Sequence, residues 1–131
     1  MIETEKTEKI TINLGLVDLG QIDLLVQEGF YSNRTDFIRT AIRNQLTTHA
    51  EVVKSTVARK TLVLGVQYYT RRDLEAVRVA GEKLQINVLG LASIAGDVSP
   101  ELALATIDSV VVLGAFRASR EVKAALASRT T

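Results

Sequence analysis

The chain contains no cysteine and one histidine, His49. The first absence excludes disulfides, thiolate metal sites and cysteine nucleophiles together, and it suits a reducing compartment. The second leaves no His-rich metal cluster and no Ser–His pair with supporting motifs. No apolar run reaches the roughly 18–20 residues that a membrane span needs. The start, Met1-Ile2-Glu3-Thr4-Glu5-Lys6, lacks the positive charge and apolar stretch of a signal peptide. The expectation is a cytoplasmic protein away from membranes. Gly81, Gly90, Gly96 and Gly114 fit neither G-x-G-x-x-G nor a P-loop. With no nucleophile–base pair, metal set or cofactor loop, neither an enzyme nor a cofactor is expected.

Charge of one sign is also scarce, since 16 Lys and Arg face 15 Asp and Glu for a net +1. Its distribution is uneven. Residues 1–54 carry six basic and eight acidic side chains, net −2, and the remainder is net +3. Neither half is a strong electrostatic footprint for nucleic acid. A hydrophobic share of 47% over 131 residues nevertheless supports folded structure, as one domain or two small ones.

Three segments follow from periodicity. Lys9-Ile10-Thr11-Ile12-Asn13-Leu14 alternates, with Ile10, Ile12 and Leu14 on one face and Lys9, Thr11 and Asn13 on the other. That is the period of a half-buried strand. From Leu16 to Glu28 the spacing of Leu19, Ile22, Leu25 and Val26 becomes helical, and Gly29 stands where a C-cap belongs. Asn33-Arg34-Thr35-Asp36 then reads as a capped start of a second helix. Phe37, Ile38, Ala41, Ile42 and Leu46 form its apolar stripe, with Arg39 and Arg43 outside it. Residues 47–60 are weakly periodic and read as the fraying end of the second helix followed by a short linker over 51–60.

Residues 61–131 are aliphatic and repetitive. Val63-Leu64-Gly65, Val88-Leu89-Gly90 and Val112-Leu113-Gly114 recur, with glycines 25 and 24 residues apart. A hydroxyl residue opens a helix-like stretch after each: Thr70, Ser99 and Ser119, with acids in the first turns. Three strand-plus-helix units suit a solenoid, a small parallel sheet, or a ferredoxin-like module lacking a helix. Tyr68-Tyr69 before Arg71-Arg72 reads as a strand end with half-buried rings, more than as a base-stacking platform.

Lys9 to Leu14, Gly29-Phe30-Tyr31-Ser32-Asn33-Arg34-Thr35-Asp36-Phe37-Ile38-Arg39 and Ala41-Ile42-Arg43 together resemble the ribbon-helix-helix family of DNA-binding proteins, the class of the Arc and methionine repressors. The resemblance covers residues 8–50. It implies a strand-helix-helix, intertwined DNA-binding dimer over 1–50. With a linker over 51–60 and the strand-plus-helix units of 61–131, read from their own pattern as a C-terminal α/β domain for oligomerisation or sensing, the chain is expected to be α+β. The resemblance also implies two strands paired into an antiparallel ribbon that enters the major groove of double-stranded DNA. Lys9, Thr11 and Asn13 would then face bases, and Asn33, Arg34 and Thr35 would meet phosphate at a helix start. In nickel-responsive relatives metal sits on histidines and a cysteine. With one His and no Cys, no metal role is expected, and His49 reads as a surface residue at a helix end.

The expected function is therefore a transcriptional regulator, such as a repressor. It would act as a homodimer through its N-terminal strand, and as a tetramer or larger species through unpaired strand edges of the C-terminal domain. The alternative is a DNA-organising or partition-type accessory protein that assembles along DNA. An antitoxin ranks behind both, because toxin-binding tails are polar while residues 61–116 are aliphatic.

Overall fold

The computed structural model describes residues 7–131, so the reading of Met1–Lys6 lies outside the described residues. The chain divides into two compact units. One holds residues 9–56. The other holds residues 57–131 together with Thr7 and Glu8.

In the first unit, α1 spans Leu16–Gln27 and α2 spans Arg34–Thr48. Between them Gly29 adopts φ +88°, which ends α1 in the left-handed turn that glycine tolerates best. The start of α2 is closed by side chains. Asn33 Oδ1 accepts from the Asp36 amide at 2.8 Å, and Asp36 Oδ2 accepts from the Ser32 amide at 2.9 Å. The Tyr31 and Phe37 rings meet edge to face at 5.0 Å, pinning the turn to the helix.

Among the described residues, 8–14 pair with no strand, as the expected ladder runs between two chains. The α2 stripe is partly covered within one chain: Phe37 and Ile38 are half-buried, whereas Ala41, Ile42 and Leu46 are exposed. One difference concerns the stretch read as a linker. Ala50–Arg59 is helical, α3, with Glu51 in its first turn and Arg59 in its last, both favourable to the helix dipole.

The second unit is a three-stranded parallel sheet, β1 (Val63–Tyr69), β2 (Leu84–Ile94) and β3 (Ile107–Arg117), in the order β1-β2-β3. All-parallel pairing excludes the ferredoxin-like alternative, whose sheet is antiparallel. The strands are joined by α4 (Arg71–Val79) and α5 (Pro100–Thr106), and α6 (Arg120–Ala125) follows β3. Each helix start is capped as its sequence indicates. Thr70, Ser99 and Ser119 accept from the amides of Asp73, Leu102 and Val122.

The helices cover one face of the sheet. Leu74, Leu102, Ala103, Val122 and Leu126 pack with Ile86, Val88, Ala92, Ile94, Ile107 and Val110 into one core. Alternation sends Leu64, Leu89 and Leu113 to the opposite face. Arg117, at the end of β3, holds the segment before Lys9 through the Thr7 carbonyl at 2.7 Å and Glu8 at 3.2 Å.

Register gives the repeat its physical meaning. Val63, Val88 and Val112 stand side by side, as do Leu64, Leu89 and Leu113, and then Gly65, Gly90 and Gly114. The three glycines have φ of +134°, +141° and +119°. A Cβ on Gly90 would lie 2.1 Å from the Gly65 carbonyl oxygen, and one on Gly114 equally close to that of Gly90. Each internal position thus excludes a side chain because the neighbouring backbone already occupies its place.

Gly90→Ala is expected to lose several kcal/mol of stability, since φ strain alone costs about 1–3 kcal/mol and the overlap adds to it. Gly96→Ala, with open space around the built Cβ, should be neutral or gain about 0.4–1 kcal/mol. Urea denaturation of the two variants checks this. Equal effects would mean that the ladder is not closely packed.

Candidate nucleic-acid interface

Residues 9–14 present Lys9, Thr11 and Asn13 as exposed side chains, all outside any helix. The alternating set is equally exposed: Ile10 is 76% and Ile12 is 62% accessible. Apolar side chains this open, on a stretch outside any helix or strand, lack the cover that burial would give them. Chemically, the polar set matches groove edges. Lys suits guanine O6 and N7, Asn suits adenine N6 and N7, and Thr can donate, accept or touch a thymine methyl.

Asn33, Arg34 and Thr35 come together at the start of α2. The first bond of that helix runs from the Phe37 amide to the Asn33 carbonyl at 3.2 Å. The amides of Arg34 and Thr35 precede it, and the Asp36 amide is taken by Asn33. Two N–H groups at the positive end of a 15-residue helix can therefore meet an anion. The Arg34 side chain is differently placed. Its guanidinium forms two bonds of 2.8 Å to Asp23 on α1, so its charge is shared within the chain.

Sequence reading overlooked two side chains here. Arg39 and Arg43 line the same concavity as Ser32, Asn33, Thr35 and Asp36. The signal was their position outside the apolar stripe, one helical turn apart on the face that continues from the cap.

Other candidates fare less well. His49 caps α2 at its C-terminal end, exposed, with its ring 3.3 Å from the Gln45 amide nitrogen. Among the described residues no group of three His, Asp or Glu converges as for a metal ion. Tyr69 packs against the C-terminal core, and burial raises its phenol pKa. Arg71 is shared between Glu75 at 3.3 Å and Asp97 at 3.9 Å, so it offers little free charge. No helix among the described residues is long and apolar enough to cross a membrane.

The hydrogen bond from Arg34, and then its charge, holds the Asp23 carboxyl below the ordinary value. A depressed folded-state pKa contributes stability above the unfolded value, and that stability is lost as pH falls through the folded one. Arg34→Gln should return the Asp23 titration, followed by NMR, toward the ordinary range. An unchanged midpoint would mean that the pair does not form in solution.

Over 47 residues the chain is 45% identical to an uncharacterized protein of Methanocaldococcus jannaschii, a stretch covering 36% of this chain and 44% of that protein. The chain thus aligns with less than half the length of that relative. No solved structure matches it. A match to a family of regulators runs through both units, from residue 5 to residue 123. The capped turn, the two helices and the repeat-bearing sheet therefore lie within one family pattern, and the chain belongs to the ribbon-helix-helix transcriptional regulator family.

Proposed function

We propose that the protein is a sequence-specific transcriptional regulator whose dimer inserts an antiparallel β-ribbon into the major groove of double-stranded DNA. Membership of a ribbon-helix-helix regulator family supports DNA binding by a dimer. The finer reading rests on one observation. Residues 9–14 alternate apolar and polar side chains, all exposed and unpaired among the described residues. A second copy of the strand supplies the missing ladder, and the helices of both copies cover Ile10, Ile12 and Leu14. Exposed Ile42 and Leu46 on α2 belong to the same shared core. Lys9, Thr11 and Asn13 are left on the outer face of the ribbon to read bases.

Phosphate contacts follow from the start of α2. Asn33 orders the turn, the amides of Arg34 and Thr35 face the backbone oxygen, and Arg39 and Arg43 add charge beside them. Because residues 1–54 are net −2, one dimer alone has little bulk attraction for DNA. Assembly into tetramers or larger species through the C-terminal unit would multiply weak contacts by linking sites. The bare outer edge of β1 and the uncovered sheet face carry that reading, and they also favour the DNA-organising alternative.

Ile12→Lys places an unpartnered charge beneath the ribbon, at a cost of several kcal/mol, and should abolish dimer and DNA binding together. Retained dimer mass with full DNA binding would show that this strand does not pack as described.

Asn13→Ala should cost roughly 1–3 kcal/mol on the cognate site and little on random DNA. Arg39→Ala should weaken both alike and lower the salt slope by about one. Fluorescence anisotropy at several salt concentrations separates these outcomes. Equal losses for Asn13→Ala on both DNAs would remove it from base reading. A short footprint fits a regulator, and protection that spreads with protein concentration fits an assembler.

A further inference from the structure

The glycine ladder has two unfinished ends. At Gly90 and Gly114 the place of a side chain is taken by the carbonyl oxygen of the preceding glycine, on the strand before. At Gly65, with the same backbone conformation, nothing lies within 4 Å of that place. No strand stands beyond β1 among the described residues. At the other end, the shared conformation turns the Gly114 carbonyl toward the outer edge of β3. The segment after α6 covers that edge only near its start, where Thr130 bridges Val110 and the Thr131 amide bonds the Val110 carbonyl at 2.9 Å. Residues 112–116 lie beyond this cover among the described residues, while Arg117 at the end of the strand bonds Thr7 and Glu8.

We propose that C-terminal units of successive copies join head to tail, β3 of one beside β1 of the next. The pairing is parallel and in the register of the internal ladder. Gly114 then stands opposite Gly65 of the neighbouring copy, and its carbonyl fills the vacant place. Val112 faces Val63, and Leu113 faces Leu64. This deepens the assembly reading above and rests on it, though not on operator recognition.

A second copy is the occupant for three reasons. The two edges are complementary, one offering a carbonyl and the other a glycine able to receive it. Both are uncharged: Leu62 to Tyr68 and Val111 to Phe116 contain no Lys, Arg, Asp, Glu or Pro. Sheet edges are ordinarily guarded by such residues, and here the guard is missing on both sides. Finally, the join adds aliphatic contact in the row Leu64, Leu89 and Leu113, whose outer members are 67% and 55% exposed. A head-to-tail contact between unlike edges does not close on itself, so it extends into an open chain of copies.

The absence of cysteine makes the register directly testable in the full chain. Leu64 and Leu113 of one chain lie two strand spacings apart, about 10 Å, beyond the roughly 7 Å that a disulfide tolerates. Leu64→Cys and Leu113→Cys proteins, mixed and oxidised, should form a mixed disulfide roughly tenfold or more above the homodisulfide of either alone. Val63→Cys with Val112→Cys, on the helix-covered side, should do the same. The Leu64→Cys/Leu113→Cys double variant should give a series of covalent multimers. Cross-linking by the outward pair alone would mean that sheets pack face to face, which overturns the proposal. Self-cross-linking of Leu64→Cys alone, through a two-fold β1–β1 contact, would overturn it as well. Light scattering of the unmodified chain separates the two levels. Large species without cross-links retain assembly and refute this edge; dimers alone refute both.

Discussion

One steric constraint organises the C-terminal unit: the carbonyl oxygen of one glycine lies where the next strand's side chain would be. The three strands can therefore approach only where all present glycine together, which fixes their register to a single solution. Once Gly65, Gly90 and Gly114 are aligned, the residues on either side follow. Val88 and Ala92 fall beneath the helices, and Leu64, Leu89 and Leu113 fall on the opposite face. A slip by one residue would place a Leu or Val side chain against a backbone oxygen. It would also move every buried side chain to the other face. The ladder thus sets both the packing of the core and the composition of the surface left open.

The N-terminal unit obeys the opposite logic. Its local structure is strongly specified, with the Gly29 turn, the Asn33 cap and the Arg34–Asp23 pair each fixed by neighbours in sequence or one helix away. Its burial is incomplete. Ile22 is the sole buried hydrophobic residue in the unit, while Ile10, Ile12, Ile42 and Leu46 remain open. About 45 residues give too little interior for one chain to cover such a surface alone. In the proposed dimer, the turn and helices receive a partner that would complete the core.

How much of this was legible in the sequence depended on the range of the interaction. Caps and turns act over three or four residues, so Asn33, Thr70, Ser99 and Ser119 were visible as helix starts. The Val-Leu-Gly period was visible too, because each strand repeats the same local requirement. Parallel order was not, since the same strand pattern also suits a ferredoxin-like sheet. The helix at Ala50–Arg59 was missed because Val53, Thr56 and Val57 form only a narrow, half-buried stripe. At the candidate interface, residue types and spacing pointed to the start of α2. They could not reveal that Asp23, eleven positions away, holds the Arg34 side chain.

That ion pair bears on how the protein meets DNA. An arginine already bonded twice to a carboxylate contributes less net charge toward phosphate than a free one. With residues 1–54 net −2, attraction at the α2 start in the proposed complex would depend on backbone amides and on Arg39 and Arg43 more than on Arg34. Amides act at hydrogen-bond range and do not steer from a distance. In the proposed ribbon-in-groove complex they would reward correct placement, so discrimination would gain relative to non-specific attraction. A weakly attracted, well-placed dimer benefits most from neighbours, because each added copy converts a separate encounter into a tethered one. Under the proposed assembly, low bulk charge in the N-terminal unit and unguarded sheet edges in the other would act together, and occupancy of DNA would depend on how many copies stand together.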